Sequence, residues 1–216
     1  MKKDHKFFKA EIENNLSEVK QYLDNKLDDI LSGDLFDINL TQPAVGAQGW
    51  GGSGQEPWTR FNGAPTQLGG KYNLLADNVE WTDNLKSGLR DMVIEACKYY
   101  GIDFDSQDYY ATAWFNYDYG IHKYSPVSLH DHSGGKGIPD FHGYYSVDAE
   151  PSLTHYHIGA DPARESVNVN RNNLAILSET GHPHARGDWN EEGPRITVAY
   201  DILPLSSGIG ENFVKL

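Results

Sequence analysis

The chain has 216 residues, 38% of them apolar, and a formal net charge of −13 at pH 7. A chain of this size can bury one sizeable core, so we expect a single domain over residues 1–216. The acidic charge argues against a nucleic-acid partner, because affinity for phosphate backbones comes largely from Lys and Arg.

The single cysteine, Cys97, leaves no pair for an internal disulfide and suits a reducing compartment. No run of eighteen apolar residues occurs, and Met1 to Lys20 holds no apolar stretch of signal-peptide length. We therefore expect a cytoplasmic protein without a membrane partner. The sequence leaves its oligomeric state open.

The first predicted element is an amphipathic helix that ends near Gly33. Its apolar residues recur every three or four positions, as one face of a helix requires. They are Phe8, Ile12, Leu16, Val19, Leu23, Leu27 and Ile30. Glycine is a common residue just past a helix C-terminus.

The segment from residue 34 to about residue 78 is rich in Gly, Pro, Asn and Gln and is too long for a simple connector. Long segments without regular structure are commonly functional covers or disordered linkers. Trp50, Trp58 and Phe61 give this one side chains with which to pack. A lid over an active site and a wrap over the surface both fit this pattern.

A second helix is predicted from Thr82 or Asp83, either of which can cap it, to Gly101. Short β-prone runs then follow one another, broken by Gly, Pro and Asn turns. We place strands at residues 109–118, 126–132, 141–147, 153–158, 165–169, 173–178 and 194–202.

This succession predicts a mainly β fold with N-terminal helices, and it favours a two-sheet roll or barrel over a parallel α/β sheet. Residues 1–104 would form a helical and loop-rich N-terminal elaboration. Residues 105–216 would form the β core of the same domain.

Three histidines form a metal-ligand pattern. His130 and His132 alternate along a predicted strand, so their side chains point to the same side and Asp131 points away. His184 would join them from a distant segment. Neutral imidazoles bind Fe(II), Zn(II), Mn(II) and Cu(II), so the residue type alone does not select the metal.

An arginine and a threonine follow the third histidine. Ten residues, Ala185 to Pro194, separate His184 from Arg195, and Thr197 comes two positions later. A guanidinium fork matches a carboxylate with two hydrogen bonds, and a hydroxyl two positions along a strand points the same way. The pair therefore suits a carboxylate ligand.

This order of residues resembles the Fe(II)/2-oxoglutarate-dependent dioxygenases. In that family a His-x-Asp pair and a distal histidine hold the metal on a double-stranded β-helix, and an Arg-x-Ser/Thr beyond the distal histidine binds 2-oxoglutarate. By position, His130 looks like the first ligand and His184 like the distal one. Arg195 and Thr197 look like the 2-oxoglutarate anchor.

The resemblance spans roughly residues 109–203 and is closest to the prolyl-hydroxylase-like branch. The family's Gly-Tyr-Tyr-like strand, its Asp-Pro turn and its last core strand have counterparts here in Gly143–Tyr145, Asp161–Pro162 and Arg195–Ile202. The resemblance implies a double-stranded β-helix, or jelly roll. It also implies that Asn116 and Tyr145 hydrogen-bond 2-oxoglutarate.

One departure concerns the third metal ligand. Where the family has a carboxylate two residues after the first histidine, this chain has His132. Either the site uses three imidazoles, or a bulge turns Asp131 inward, or Asp140 takes the place. The strand period favours His132.

Other histidines allow further interpretations. His182 could compete with His184 as the distal ligand, although Pro183 lies between them. His155 and His157 alternate on one strand and would form a second metal pair, a pocket wall or an ordinary strand face. His142 could support the metal ligands, whereas no pattern assigns a role to His122.

The resemblance implies a hydroxylase that uses Fe(II), 2-oxoglutarate and O2, acts on a small-molecule or amino-acid or peptidyl substrate, and releases succinate and CO2. The acidic loop at residues 188–192 and the segment around Trp50 would flank its pocket. One alternative is a three-histidine cupin-like dioxygenase or isomerase without 2-oxoglutarate, in which Arg195 forms a structural ion pair. Another is a metal-containing jelly roll that binds a sugar or another ligand without catalysis.

Overall fold

The structure, a computed structural model, describes residues 4–32, 73–118, 123–124, 129–132, 140–159, 164–207 and 213–216. Several predictions fall outside these residues. They concern most of the segment at 34–78 with its three large aromatic residues, His122 and the Asp161–Pro162 turn.

Antiparallel strands make up most of the described part of the chain. They are β1 (Phe8–Glu11), β2 (Tyr109–Asp118), β3 (Phe141–Asp148), β4 (Leu153–His157), β5 (Glu165–Val169), β6 (Leu174–Glu179), β7 (His184–Arg186), β8 (Arg195–Pro204) and β9 (Val214–Lys215). Among these residues, one sheet has six strands in the order β1-β6-β3-β8-β2-β9, and another has three in the order β5-β4-β7. The fold is mainly β with antiparallel sheets, as predicted.

Two helices, α1 (Leu16–Ser32) and α2 (Glu80–Tyr100), pack on the larger sheet. Val19 and Leu23 of α1 and Leu89 of α2 are fully buried in one core with Phe115 of β2 and Val198 of β8. None of the helices in the described ranges is both long enough and apolar enough to cross a membrane.

Strand alternation gives the larger sheet two different faces. On β3, Phe141 and Tyr145 pack in the core with the helices, whereas Tyr144 packs with Tyr156 of β4 and Ile176 of β6. The second face therefore turns toward the smaller sheet. Buried polar residues collect on this inner face, namely Thr112, Asp118, His142, Ser146, Arg195 and Thr197.

The prediction of one helix from Phe8 onward is wrong at its N-terminal end. Phe8–Glu11 forms β1, which pairs with β6, and α1 begins only at Leu16. Phe8 and Ile12 are both buried, and residues four apart share a face in a strand as well as in a helix. Apolar spacing alone could not separate the two. The N-terminal segment thus adds an edge strand to the β core that we had confined to residues 105–216.

The second helix matches its prediction more closely at the C-terminus than at the N-terminus. It ends at Tyr100 and is capped by Gly101, whose φ of 75° is the left-handed conformation that glycine tolerates. It begins at Glu80, and the Thr82 hydroxyl donates to the carbonyls of Asp77 and Val79. Thr82 therefore lies inside the helix instead of capping it.

Strand positions beyond residue 105 agree with their predictions to within two residues, with three exceptions. Of the predicted strand at 126–132, only residues 129–132 are described, and there His130 forms an isolated bridge with His184. The other two exceptions, β7 and β9, were not predicted. Each has at most three residues, too few for an alternating pattern to be recognised.

Candidate metal centre

His130, His132 and His184 come together beside β7. One ring nitrogen of each lies within 4.8 Å of those of the other two. Two hydrogen bonds join the backbones of His130 and His184. The His184 N–H donates to the His130 carbonyl at 2.8 Å, and the His130 N–H donates to the His184 carbonyl at 3.1 Å. Ring centroids are 4.4 Å apart for His130 and His184 and 5.2 Å apart for His132 and His184.

The third member of this group is His132, and neither alternative carboxylate joins it. Asp131 is exposed. Asp140 accepts a hydrogen bond from the Tyr109 hydroxyl at 2.8 Å, and the Tyr109 ring lies in the core with the helices. Among the described residues, the only cluster with metal-ligand spacing consists of three imidazoles.

A carboxylate from β8 orients His132. The Nδ1 atom of His132 lies 2.5 Å from Oδ1 of Asp201, and the indole of Trp114 stacks on the imidazole at 6.1 Å. A carboxylate on one ring nitrogen fixes the ring orientation and leaves the other nitrogen for a metal. Sequence reasoning missed Asp201, although it lies on the same face of β8 as Arg195 and Thr197.

The protonation state of His184 and its unpartnered ring nitrogen fit metal coordination. Burial lowers the pKa of His184 well below its usual value, and His142 and His130 lower it further. The ring is therefore neutral at neutral pH, as a ligand must be. Its Nδ1 atom is buried and has no hydrogen-bond partner within the described ranges. Three imidazoles with this spacing fit a first-row divalent metal ion.

Two arginines share one buried carboxylate next to this centre. NH1 of Arg195 donates to Oδ2 of Asp118 at 3.1 Å, and NH1 of Arg186 donates to Oδ1. Nε of Arg195 donates to the Ser152 hydroxyl at 3.0 Å. The side chains of Arg195 and Asp118 are only 6% and 5% exposed. Two guanidinium charges and one carboxylate leave the group with a net charge of +1.

Thr197 and Asn116 lie next to this group. They are opposite each other in the pairing of β8 with β2, and Nδ2 of Asn116 is 3.5 Å from the Thr197 hydroxyl. Both lie on the inner face of the sheet, as Arg195 does. The structure thus places Arg195, Thr197 and Asn116 near one another on the inner face, and it adds Arg186 and Asp118, which the sequence analysis did not single out.

Tyr145, the remaining predicted contact of 2-oxoglutarate, lies on the opposite face of the sheet. Its hydroxyl donates to Oδ1 of Asn173 at 2.5 Å and accepts from Nδ2 of Asn14 at 3.2 Å. The ring is fully buried in the core with the helices. The prediction for Tyr145 is corrected on this geometry. The neighbouring Tyr144 faces the smaller sheet, where its hydroxyl donates to Oδ1 of Asn170 at 2.7 Å.

The other candidate histidines lie outside the three-histidine group. His182 pairs with Glu179 at 3.1 Å and accepts the Gly159 N–H at 3.1 Å. His155 binds Glu165 at 2.6 Å, and its ring stacks on Tyr124 at 3.9 Å.

The acidic loop is anchored at both of its ends. Asp188 accepts from the Tyr124 N–H at 2.7 Å and pairs with Lys123 at 3.3 Å. Trp189 is buried, and its indole N–H donates to the Gly193 carbonyl at 3.1 Å. The loop therefore has a fixed attachment beside the strand that carries His184.

No family model and no curated protein matches this chain. Solved structures do match. The chain is 13% identical to a non-heme monooxygenase, the ThoJ nickel complex, with a TM-score of 0.40, and the match covers 58% of this chain and 54% of that chain. It thus spans about half the length of that protein.

Two further structures match over most of their length. A prolyl-4-hydroxylase from Pseudomonas putida is 8% identical, with a TM-score of 0.49 and coverage of 93% of this chain and 89% of that chain. HygX from Streptomyces hygroscopicus, with nickel and 2-oxoglutarate bound, is 12% identical, with a TM-score of 0.46 and coverage of 98% and 92%.

Proposed function

We propose that this protein is an Fe(II)- and 2-oxoglutarate-dependent oxygenase that hydroxylates a small-molecule or amino-acid or peptidyl substrate. One observation carries the proposal: His184 and Arg186 lie two residues apart on one face of β7. Two residues of extended strand span about 7 Å. The carboxyl carbons of a five-carbon diacid, joined by four C–C bonds, are about 5 Å apart. A diacid of this length can reach from the histidines to the arginines.

The charge of the arginine group supports a carboxylate ligand. A net charge of +1 on Arg186, Arg195 and Asp118 matches one carboxylate, and a buried charge requires such a partner. A neutral or cationic group would leave that charge unbalanced. The distal carboxylate of 2-oxoglutarate carries the single negative charge that the group requires.

Unpartnered polar atoms on the inner face also support a polar ligand. The hydroxyls of Ser146 and Tyr156 are buried and have no hydrogen-bond partner among the described residues. Buried polar groups in native proteins are rarely left unsatisfied. The Tyr156 ring lies 5.1 Å from that of His184, so the unpartnered hydroxyl belongs to a ring that packs on a metal ligand.

Each group has a defined part in this proposal. Bound Fe(II), with 2-oxoglutarate and O2, supplies the oxidising chemistry and yields succinate and CO2. His130, His132 and His184 hold the ion. Arg195 and Arg186 bind the distal carboxylate, and the Ser152 hydroxyl fixes Arg195.

We further propose that the two sheets are the halves of a double-stranded β-helix and that residues 1–216 form one domain. The buried polar residues on the inner face of the larger sheet and the position of the helices on its other face support this architecture. A cytoplasmic location is proposed from the single cysteine, which is buried and free.

The proposal is tested by succinate formation from 2-oxoglutarate under air, with added Fe(II) and purified protein. We expect slow turnover without substrate, and none for His184→Ala. His155→Ala is the matched control. The His155 ring binds Glu165 and lies on the outer face of the smaller sheet, which is the face of β4 opposite to Tyr156. Anaerobic addition of 2-oxoglutarate to the Fe(II) protein should give a visible charge-transfer band. Absence of both the band and succinate in the wild type would reject the proposal.

The contact between Arg195 and Asp118 favours a second candidate. An arginine that already binds an internal carboxylate has a structural role in a three-histidine cupin-like dioxygenase or isomerase, which needs no 2-oxoglutarate. Such an enzyme would consume O2 or isomerise its substrate with metal alone. Two results together would favour this candidate: the metal-dependent activity is unchanged in Arg195→Gln, and addition of 2-oxoglutarate has no effect on it.

A further inference from the structure

A fourth histidine lies against the three that form the metal centre. His142 is on the inner face of β3, where it is 1% exposed, and it pairs in register with Asp201 of β8. Its ring stacks on His132 at 4.7 Å and on His184 at 4.6 Å, with interplanar angles of 25° and 28°. His142 thus contacts two of the three candidate ligands.

The Nε2 atom of His142 is buried and has no hydrogen-bond partner within the described part of the chain. A ring nitrogen without a partner in a buried site destabilises the protein, and native proteins rarely retain one without a reason. Phenylalanine would fill the same space without this cost. The imidazole is therefore better explained by a polar atom that is present when the site is loaded.

That atom is not the metal ion itself in this geometry. The group of ring nitrogens that lie within 4.8 Å of one another contains His130, His132 and His184, and it does not contain His142. The nearest position for a polar partner is then a ligand of the ion. In the proposed reaction such a ligand is the 2-oxo acid end of the co-substrate.

We propose that Nε2 of His142 hydrogen-bonds an oxygen atom of the 2-oxo acid when the latter is bound at the metal centre. This inference rests on the proposed function. It assigns to His142 a contact with the co-substrate that neither the three-histidine group nor the arginine pair provides. Its effect is to favour the bound 2-oxo acid over water and to fix its orientation.

The experiment measures three properties of wild type, His142→Phe, His142→Gln and His155→Phe. They are the dissociation constant of Fe(II), the anaerobic dissociation constant of 2-oxoglutarate, and the position of the charge-transfer band. Phenylalanine keeps the ring stacking and removes the nitrogen, so folding is preserved. Glutamine places an amide near the position of Nε2. His155→Phe is the matched control on the outer face.

We expect His142→Phe to bind Fe(II) within about threefold of the wild type and 2-oxoglutarate roughly 10-fold more weakly, with a shifted band. His142→Gln should recover part of the affinity, and His155→Phe should match the wild type. Unchanged 2-oxoglutarate affinity and band position in His142→Phe would overturn the inference.

Two further outcomes would also overturn it and can be told apart. Loss of Fe(II) binding in His142→Phe would make His142 a direct ligand of the ion. A wild-type protein that binds Fe(II) but forms no complex with 2-oxoglutarate would overturn the proposed function and this inference together. In the first case the wild type still binds 2-oxoglutarate, and in the second it does not.

Discussion

Asp201 contacts His132, with Oδ1 of the carboxylate 2.5 Å from Nδ1 of the ring. Asp201 and Arg195 lie on the same face of β8, the strand between β3 and β2 in the larger sheet. One central strand therefore orients a candidate metal ligand, His132, at one position and carries the candidate carboxylate anchor, Arg195, at another. The relative positions of the two functions are fixed by the hydrogen bonding of the sheet.

Asp201→Asn should weaken metal binding by roughly 10- to 100-fold, because an amide holds the His132 ring less firmly and lowers its basicity. The measurement is a titration with Co(II) or Fe(II) against a competing chelator. Asp148→Asn is the control, since Asp148 is a half-buried carboxylate that pairs with Lys20 at 2.6 Å. Equal metal affinities for both variants would contradict the role assigned to Asp201.

The charge balance around Asp118 gives a second prediction. Arg186→Gln leaves Asp118 and Arg195 with no net charge, so 2-oxoglutarate should bind roughly 10-fold more weakly to the metal-loaded protein. The double variant Arg186→Gln with Asp118→Asn restores a net charge of +1 and should regain much of this affinity. The measurement is calorimetric titration of the Ni(II) protein.

Arg171→Gln is the control for this series, because Arg171 forms an exposed ion pair with Glu11. It should bind 2-oxoglutarate as the wild type does. If the double variant binds no better than Arg186→Gln alone, net charge is not what the arginine pair contributes.

Tyr145→Phe should lower the stability of the protein without changing its affinity for 2-oxoglutarate. The variant loses hydrogen bonds with Asn173 and Asn14, so the free energy of unfolding should fall by about 1–2 kcal/mol. Urea denaturation measures this change, and the dissociation constant of 2-oxoglutarate should be unchanged. Weaker binding of 2-oxoglutarate at unchanged stability would instead indicate that Tyr145 contacts 2-oxoglutarate.

Tyr144→Phe is the matched comparison. Its hydroxyl binds Asn170, which donates to the Ser152 hydroxyl at 2.7 Å, and Ser152 in turn accepts from Arg195. Removal of the Tyr144 hydroxyl should therefore loosen the support of Arg195 and weaken 2-oxoglutarate binding. The two tyrosines thus separate an effect on the core from an effect on the site.

The sequence was sufficient to predict which histidines meet, because their spacing and the position of Arg195 reflect the order of strands. It was not sufficient for Tyr145. Alternation shows that Tyr144 and Tyr145 face opposite sides, but which side faces the site depends on how β3 pairs with β8 and β6. That pairing is a property of the folded sheet.

Arg186 and Asp118 could not be predicted for a related reason. β7 has three residues, so no pattern marked it as a strand that carries both His184 and Arg186. Asp118 ends β2, and its contact with Arg186 joins the two sheets. Contacts between sheets depend on the packing of distant segments, and a single sequence contains no direct signal of them.

The stability of the metal-free protein should fall as the pH is lowered from about 6.5 to 4. Burial lowers the pKa of His5 to about 4, and the nearby His182 and Arg164 lower it further. In the unfolded chain His5 has its ordinary pKa of about 6.5, so between these two values the unfolded state binds more protons. Acid therefore favours unfolding in this range, and His142 and His184, whose pKa values are also lowered by burial, act in the same direction.

His5→Gln should reduce this loss of stability at low pH without abolishing it, because His142 and His184 remain. Urea denaturation at pH 7 and pH 5 measures the loss for each protein in the absence of metal. His155→Gln, on the outer face of the smaller sheet, should show the full loss of the wild type. An identical loss in His5→Gln and the wild type would mean that the His5 ring accepts its proton as easily in the folded protein as in the unfolded chain.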